Sequence, residues 1–111
     1  MKFRVIVAQR VRFAILDAAL FIADRSVDRA FAWQDDVYRK LEELQMWPRA
    51  NPIDEAASAR QGGEIRKRSL GNYVANYRVN DDARVVEVID FRDAARLPEP
   101  PEPPEPPDRV E

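Results

Sequence analysis

Residues 65–79 read IRKRSLGNYVANYRV, and they contain the clearest strand pattern in the chain. Two short runs, 65–70 and 73–79, flank Gly71-Asn72, which is a compact turn signal between two strands. The second run alternates between two faces with a period of two, which is typical of a half-buried strand. A further turn signal at 80–83 precedes a third run, 84–92. The stretch and its continuation therefore predict a three-stranded antiparallel meander.

The residues before this meander predict one strand and two helices. The run 2–8 is apolar and β-branched in its middle, as in a strand buried on both faces. Residues 9–24 change to a helical period with a wide apolar stripe that includes two neighbouring rows, Val11, Ile15, Ala18, Ile22 and Phe13, Leu16, Leu20. Ser26 is a good N-cap for a second helix, which Pro48 ends. The break between the helices is short, so we expect an antiparallel helical hairpin.

A short third helix is expected near 52–61, with Asn51 as its N-cap, Pro52 at its first position and Gly62-Gly63 at its end. The predicted order is β-α-α-(α)-β-β-β. We therefore predict an α+β fold in which an N-terminal strand and an α-helical hairpin pack on a small antiparallel sheet with a C-terminal three-stranded meander.

Composition limits the domain count and the chemistry. The chain has 111 residues, of which 45% are hydrophobic and 34% charged, and it has neither Cys nor His. This length suits one domain, predicted over 1–97, followed by an acidic tail of Pro and Glu repeats over 98–111 that we expect to be disordered. Without Cys and His, the chain has no thiolate or histidine metal site, no cysteine nucleophile and no Ser-His-Asp triad. No metal, cofactor or membrane span is expected, and we predict a cytoplasmic protein.

A basic run lies on the first strand of the meander. Arg66 and Arg68 share one face of that strand and Lys67 takes the other, while Arg78 and Arg92 on the next strands join one of these faces. Such a patch suits phosphate or an acidic protein surface. A solvated sheet face with cross-strand ion pairs explains the same residues equally well.

Four large side chains form a second candidate surface, Phe31, Trp33, Met46 and Trp47. One helix cannot bury all of them, so part of the set could line a groove for a partner protein. Ordinary packing at the edge of a core is the alternative. Neighbouring carboxylates such as Asp35-Asp36 and Asp81-Asp82 point apart, and we interpret them as solvated rather than catalytic.

The order of elements and three motifs resemble the RelE/ParE superfamily of type II toxin–antitoxin toxins. The motifs are the run Ile65–Tyr73, the run Tyr77-Arg78-Val79 and the final segment Arg92-Asp93-Ala94-Ala95-Arg96. The resemblance covers residues 1–97. It implies a growth-inhibiting toxin, a cognate antitoxin as partner, and a hetero-oligomer with that antitoxin.

Two departures from the ribonuclease branch favour the ParE branch, which inhibits DNA gyrase by binding. Val74 stands where that ribonuclease branch places an Arg for the scissile phosphate, and Asp93 stands where it places a His or Tyr. The resemblance then implies target contacts at Arg66, Lys67, Arg68, Arg78, Arg92 and Arg96. The surplus of large apolar side chains predicts the antitoxin contacts at Phe31, Trp33, Met46 and Trp47. The alternatives are a ribosome-dependent mRNA ribonuclease of RelE type, with Tyr73 or Asp93 as acid or base, and an inactive member that only binds its antitoxin.

Overall fold

The computed structural model describes residues 2–95. Its elements in chain order are β1 (Arg4–Val7), α1 (Gln9–Ala23), α2 (Val27–Glu42), two short 3-10 turns (Glu43–Gln45 and Pro48–Ala50), α3 (Glu55–Gln61), β2 (Arg66–Leu70), β3 (Tyr73–Asn80) and β4 (Val85–Asp93). This is the predicted α+β order, and the predicted meander is confirmed. Arg96 and the acidic tail 98–111 lie outside the described residues.

The four strands form one sheet in the order β1-β4-β3-β2. The meander strands β2, β3 and β4 pair antiparallel, whereas β1 pairs parallel with β4, with Arg4 opposite Val85 and Val7 opposite Val88. The sheet is therefore mixed, which corrects the expectation of a wholly antiparallel sheet. The helical hairpin, α3 and the strands β2 and β3 separate β1 from β4 in sequence. An apolar strand pattern does not encode the direction of such a distant pairing.

The predicted helical hairpin forms, but α2 ends at Glu42 and not at Pro48, because a 3-10 turn at Glu43–Gln45 follows it. Ser26 caps α2, because its side chain accepts a hydrogen bond from the N–H of Arg29. The two helices bury only narrow stripes, Val11, Ile15 and Ala19 on α1 and Ala30, Val37 and Leu41 on α2. The second apolar row of α1, Phe13, Leu16 and Leu20, is exposed. A helix presents one side to the sheet, so the wide stripe predicted for α1 is not buried as a whole.

The third helix begins later than predicted. Asp54, not Asn51, is its N-cap, and its carboxylate accepts the N–H of Ala57. The preceding residues are extended because they pair with β2: Ile53 bridges Arg66, and the N–H of Lys67 donates to the carbonyl of Pro52. Gly62 ends the helix at φ +75°, a left-handed conformation that favours glycine.

The core lies between the sheet and the hairpin. Tyr77, Ile15 and Leu41 are fully buried, and the hydroxyl of Tyr77 donates to the carbonyl of Pro48. At the other end of the sheet, Tyr73 stacks on Phe91 with ring centroids 4.9 Å apart. This packing leaves the opposite face of the sheet, called the open face below, without the helical hairpin.

Candidate functional site

The open face carries the polar side chains of the meander. The alternation of β3 points Ala75 and Tyr77 towards the hairpin, and Val74, Asn76 and Arg78 therefore point to the open face. The strand register places the following partners beside them: Lys67 opposite Asn76, Asn76 opposite Asp90, Val74 opposite Arg92, and Arg78 opposite Glu87. Lys67, Arg78 and Arg92 therefore share this face.

A buried polar network anchors Arg92 to the open face. Asn76 Nδ2 donates to Asp54 Oδ2 at 3.0 Å, and Arg92 donates to Asn76 Oδ1 at 3.1 Å. A second guanidinium nitrogen of Arg92 lies 3.7 Å from Asp54 Oδ2. Asp54 and Asn76 are 6% and 1% exposed. The network links the N-cap of α3 to β3 and β4, and it fixes where the positive charge of Arg92 sits.

Asp54 stays ionised within this network. Burial by itself opposes the charged form and acts to raise the pKa. The hydrogen bonds from the Ala57 N–H and from Asn76, together with the charges of Lys67 and Arg92, outweigh burial and lower the pKa of Asp54 below its usual value. A carboxylate that accepts these bonds is a structural anion rather than a proton donor.

Arg66 and Arg68 lie on the opposite face of β2 and are bonded within the chain. Arg66 donates to the carbonyl of Asn51 at 2.6 Å and to Glu64 at 3.0 Å. Arg68 donates to the carbonyl of Lys40 at 3.1 Å and to Glu43 at 2.6 Å. Their side chains are only 15% and 23% exposed. These two arginines therefore tie β2 to the loop before α3 and to the end of α2.

The predicted basic set is thus divided by the sheet. Lys67 is exposed and has no ion pair within residues 2–95, and Arg78 is half-exposed and pairs with Glu87 at 2.8 Å. Both lie with Arg92 on the open face, whereas Arg66 and Arg68 do not, and Arg96 is outside the described residues. Part of the cross-strand pairing considered as the alternative from sequence is present, because Arg78 on β3 bonds to Glu87 on β4. Arg66 bonds to Glu64, but that pair lies within one segment and not across strands.

The predicted aromatic set is also divided. Trp33 packs against the core, with its ring 5.5 Å from Tyr73 and 6.2 Å from Phe91. Phe31 is 64% exposed on α2, and Met46 and Trp47 are exposed in the turn beyond that helix. The part of α2 that runs from Phe31 to the helix end spans about 17 Å, so these residues do not form a single patch.

The helical hairpin exposes a larger apolar surface than the sequence indicated. Six large side chains, between 43% and 77% exposed, constitute what we call the hairpin apolar surface: Phe13, Leu16, Leu20, Phe21, Val27 and Phe31. The α1 members at 13, 16 and 20 recur at helical spacing, and so do those of α2 at 27 and 31. The pattern alone could not reveal this surface, because an amphipathic stripe reads as core until the sheet beneath the helix is known.

The two residues considered as acid or base for RNA cleavage, Tyr73 and Asp93, are register partners on β3 and β4, but each has another contact. Tyr73 stacks on Phe91 on the hairpin side of the sheet, and Asp93 accepts the N–H of Ala95. Val74 lies on the open face opposite Arg92.

Within residues 2–95, no group of Asp and Glu side chains could hold a metal ion. No helix in this part of the chain is long and apolar enough to cross a membrane.

Comparison with known proteins gives a structural likeness only. No protein-family model matches the chain, and no curated protein matches it. Among solved structures, the chain is similar to one in the archaeal RelE–RelB complex from Pyrococcus horikoshii OT3. The TM-score is 0.48 and the sequence identity 18%, over 87% of this chain and 100% of that chain. A likeness of this extent establishes neither a family nor a function.

Proposed function

We propose that the chain is the toxin of a type II toxin–antitoxin pair of the RelE/ParE superfamily. In this proposal, an antitoxin neutralises it by binding the hairpin apolar surface, and the toxin acts by binding DNA gyrase rather than by hydrolysis. The observation that carries the proposal is the hairpin apolar surface itself. The sequence resemblance supplies the identity of the partner and of the target.

Six large exposed apolar side chains on two neighbouring helices offer anchors for a protein partner. Large apolar patches are uncommon on soluble monomers and commonly mark interaction sites. Two of the members, Phe21 and Phe31, are aromatic and are 77% and 64% exposed, and aromatic side chains are typical anchors of interfaces. An amphipathic helix of a partner would match the i, i+3, i+7 spacing of Phe13, Leu16 and Leu20. We therefore assign the antitoxin contact to this surface, and we keep Phe31 from the predicted set.

The open face supports binding better than cleavage. Cleavage through attack of the RNA 2′-hydroxyl needs a proton acceptor, a proton donor and cationic support for the phosphorane. Lys67 and Arg78 could supply the cations. Asp54 is held ionised by its hydrogen bonds, and Tyr73 lies on the hairpin side, so neither is placed as a donor beside these cations. This arrangement favours a toxin that docks on its target through charge.

We assign the target contact to the open-face cations Lys67 and Arg78. Arg92, also predicted as a contact, lies on the same face but is only 18% exposed and bonds to Asn76, so it holds the polar network in place. Arg66 and Arg68, predicted as contacts, then act by holding β2 in place through their bonds to backbone carbonyls. Arg96, the last predicted contact, follows directly on the described residues. The ribosome-dependent ribonuclease remains the second candidate, because Lys67 and Arg78 could equally bind an RNA backbone.

Expression of the chain alone in a bacterium tests the proposal. We expect growth arrest with DNA damage and loss of supercoiling, and an intact message when purified protein is added to translating ribosomes. Lys67→Gln should weaken the arrest, whereas Lys2→Gln, at an exposed lysine two residues before β1, should leave it unchanged. Codon-placed cuts in the message would favour the ribonuclease, and normal growth with soluble protein would rule out an active toxin.

The antitoxin contact is tested separately, with the product of any short neighbouring reading frame as the probe. Leu20→Asp places a charge on the hairpin apolar surface and should weaken binding by at least about tenfold, the loss expected for an interface anchor. Ile53→Asp places the same charge at an exposed apolar residue away from the hairpin and serves as the control. Equal affinities of the antitoxin for the two variants would show that it does not bind this surface.

A further inference from the structure

The strand β1 is an edge strand with one unpaired side. It pairs only with β4, and the sheet order leaves its other side without a neighbouring strand among residues 2–95. The N–H of Arg4 donates to the carbonyl of Arg84 at 2.8 Å, and the N–H of Ala8 donates to that of Val88 at 3.0 Å. In a parallel ladder the N–H and C=O groups of alternate residues, here Arg4 and Ala8, point towards the partner strand. The N–H and C=O groups of Val5 and Val7 therefore point away from β4.

The free stretch of this edge is short and open. The N–H of Phe3 donates to the carbonyl of Gln45 at 2.8 Å, which closes one end of the edge. A groove of about 830 Å³ adjoins β1 on the hairpin side, lined by Val5, Val7, Arg12 and residues of α2. The charged side chains of its wall carry both signs, since Arg12 and Arg39 accompany Asp35, Asp36 and Glu42. An added strand would find room there and would meet no block of like charge.

The sequence of the edge is symmetric about its centre. Val5-Ile6-Val7 reads the same in both directions, and Ile6 at the centre is 41% exposed on the open face. If a second copy is placed antiparallel with a two-fold axis at Ile6, Val5 faces Val7 of the partner subunit, and Ile6 faces the partner's Ile6. Arg4 then faces the partner's Ala8, so no two like charges stand opposite each other.

We propose that two copies of this chain associate through β1, which joins their sheets into one continuous sheet. In this dimer the N–H of Val5 donates to the carbonyl of the partner's Val7, the N–H of Val7 donates to the carbonyl of the partner's Val5, and the two-fold axis repeats both bonds. The exposed Ile6 is covered by its own copy. This inference does not depend on the proposed function.

The chemistry of the edge favours a second copy over the acidic tail. Proline has no N–H, so the Pro-rich residues 98–107 cannot form the ladder that Val5 and Val7 require. A second β1 supplies both donors and acceptors with matching β-branched side chains. The interface is short, below about 1,200 Å² in total, and we therefore expect a weak dimer that depends on concentration.

A cysteine pair tests the register directly, because the natural chain has no cysteine. In the proposed dimer the two copies of residue 6 form a non-hydrogen-bonded pair about 4.5 Å apart at Cα, which suits a disulfide. Residue 4 of one copy lies about 14 Å from residue 4 of the other, too far for a bridge. Ile6→Cys should therefore form disulfide-linked dimer under mild oxidation at least about tenfold faster than Arg4→Cys. Equal rates for the two variants, or no linkage in either, would overturn the proposal.

Sedimentation of the uncross-linked chain gives an independent measure. We expect the natural chain to shift towards dimer between about 10 µM and about 1 mM. Ile6→Lys should stay monomeric, because two lysines would face each other across the axis. Ile53→Lys changes a residue of similar exposure, 38%, and should behave like the natural chain. A monomer at all concentrations, or an Ile6→Lys variant that dimerises as well as the natural chain, would show that this edge takes no second copy and is left for a different strand or for solvent.

Discussion

Asp54→Ala removes the carboxylate that links the N-cap of α3 to the open face, and it should markedly lower the free energy of unfolding. The carboxylate accepts the N–H of Ala57 and the side chain of Asn76, both at 3.0 Å, and lies 3.7 Å from Arg92. Loss of an N-cap costs about 1 kcal/mol. Asn76 is 1% exposed, and without Asp54 its amide nitrogen keeps only a long hydrogen bond of 3.4 Å to the carbonyl of Arg66, so this loss costs about 1–3 kcal/mol more.

The expected total is therefore a loss of about 2–4 kcal/mol in the free energy of unfolding, or a fall in Tm on the order of 10–20 °C. Asp54→Asn separates the contributions. Asparagine is a good N-cap, but it carries no charge for Arg92, so this variant should lie between the natural chain and Asp54→Ala. Urea unfolding followed by circular dichroism near pH 7 measures all three. Asp28→Ala, an exposed carboxylate in the first turn of α2, is the control and should cost at most about 1 kcal/mol.

The pH dependence tests the same network. The pKa of Asp54 is lower in the folded chain than its ordinary value near 3.8. Its charge therefore stabilises the fold fully above that ordinary value, and the stabilisation is lost as the pH falls through the lower folded pKa. The difference in the free energy of unfolding between the natural chain and Asp54→Ala should be constant from about pH 7 to about pH 5 and should shrink below about pH 4. A difference below about 0.5 kcal/mol at pH 7 would refute the reasoning.

Two further predictions concern single substitutions, at the tryptophans and at the glycine that ends α3. Trp33→Ala should lower the free energy of unfolding by about 2–4 kcal/mol, because its ring packs on Tyr73 and Phe91, whereas Trp47→Ala at 72% exposure should change it by less than about 0.5 kcal/mol. Thermal unfolding of both variants checks this, and equal effects would contradict it. Gly62→Ala should lower the free energy of unfolding in urea by about 1 kcal/mol from backbone strain alone, since an added Cβ meets nothing within 4 Å. Gly63→Ala is the control, because that glycine has no positive φ. Equal losses for the two variants would contradict the role of the left-handed conformation at Gly62.

Local chemistry determined the secondary structure and the α+β class. Gly71-Asn72 set the β2–β3 hairpin, and Ser26 capped α2 as its side chain predicts. Alternation along β2 also predicts that Lys67 lies on the face opposite to Arg66 and Arg68, and the register with β3 confirms it. These features depend on a few residues next to one another in the chain, and propensities, caps and periodicity describe such neighbours well.

Tertiary structure alone decided how distant segments meet. The parallel pairing of β1 with β4, and the capping of α3 by Asp54 instead of Asn51, depend on contacts between residues far apart in sequence. The same is true of charge: Arg66 and Arg68 look like free cations in the sequence, but the loop before α3 and the end of α2 supply the carbonyls that bind them. Local patterns cannot specify these partners, because each partner is brought there by packing.

Tertiary structure also decided which apolar side chains are exposed. Phe13, Leu16 and Leu20 have the composition of a core stripe, yet the helix turns them away from the sheet. Phe31 and Trp33 are two residues apart on α2 and therefore lie on different sides of the helix. Trp33 packs against the core, whereas Phe31 is exposed to solvent. A sequence states how much apolar surface a helix carries. Only the position of the sheet beneath it determines which part is buried and which part is left for a partner.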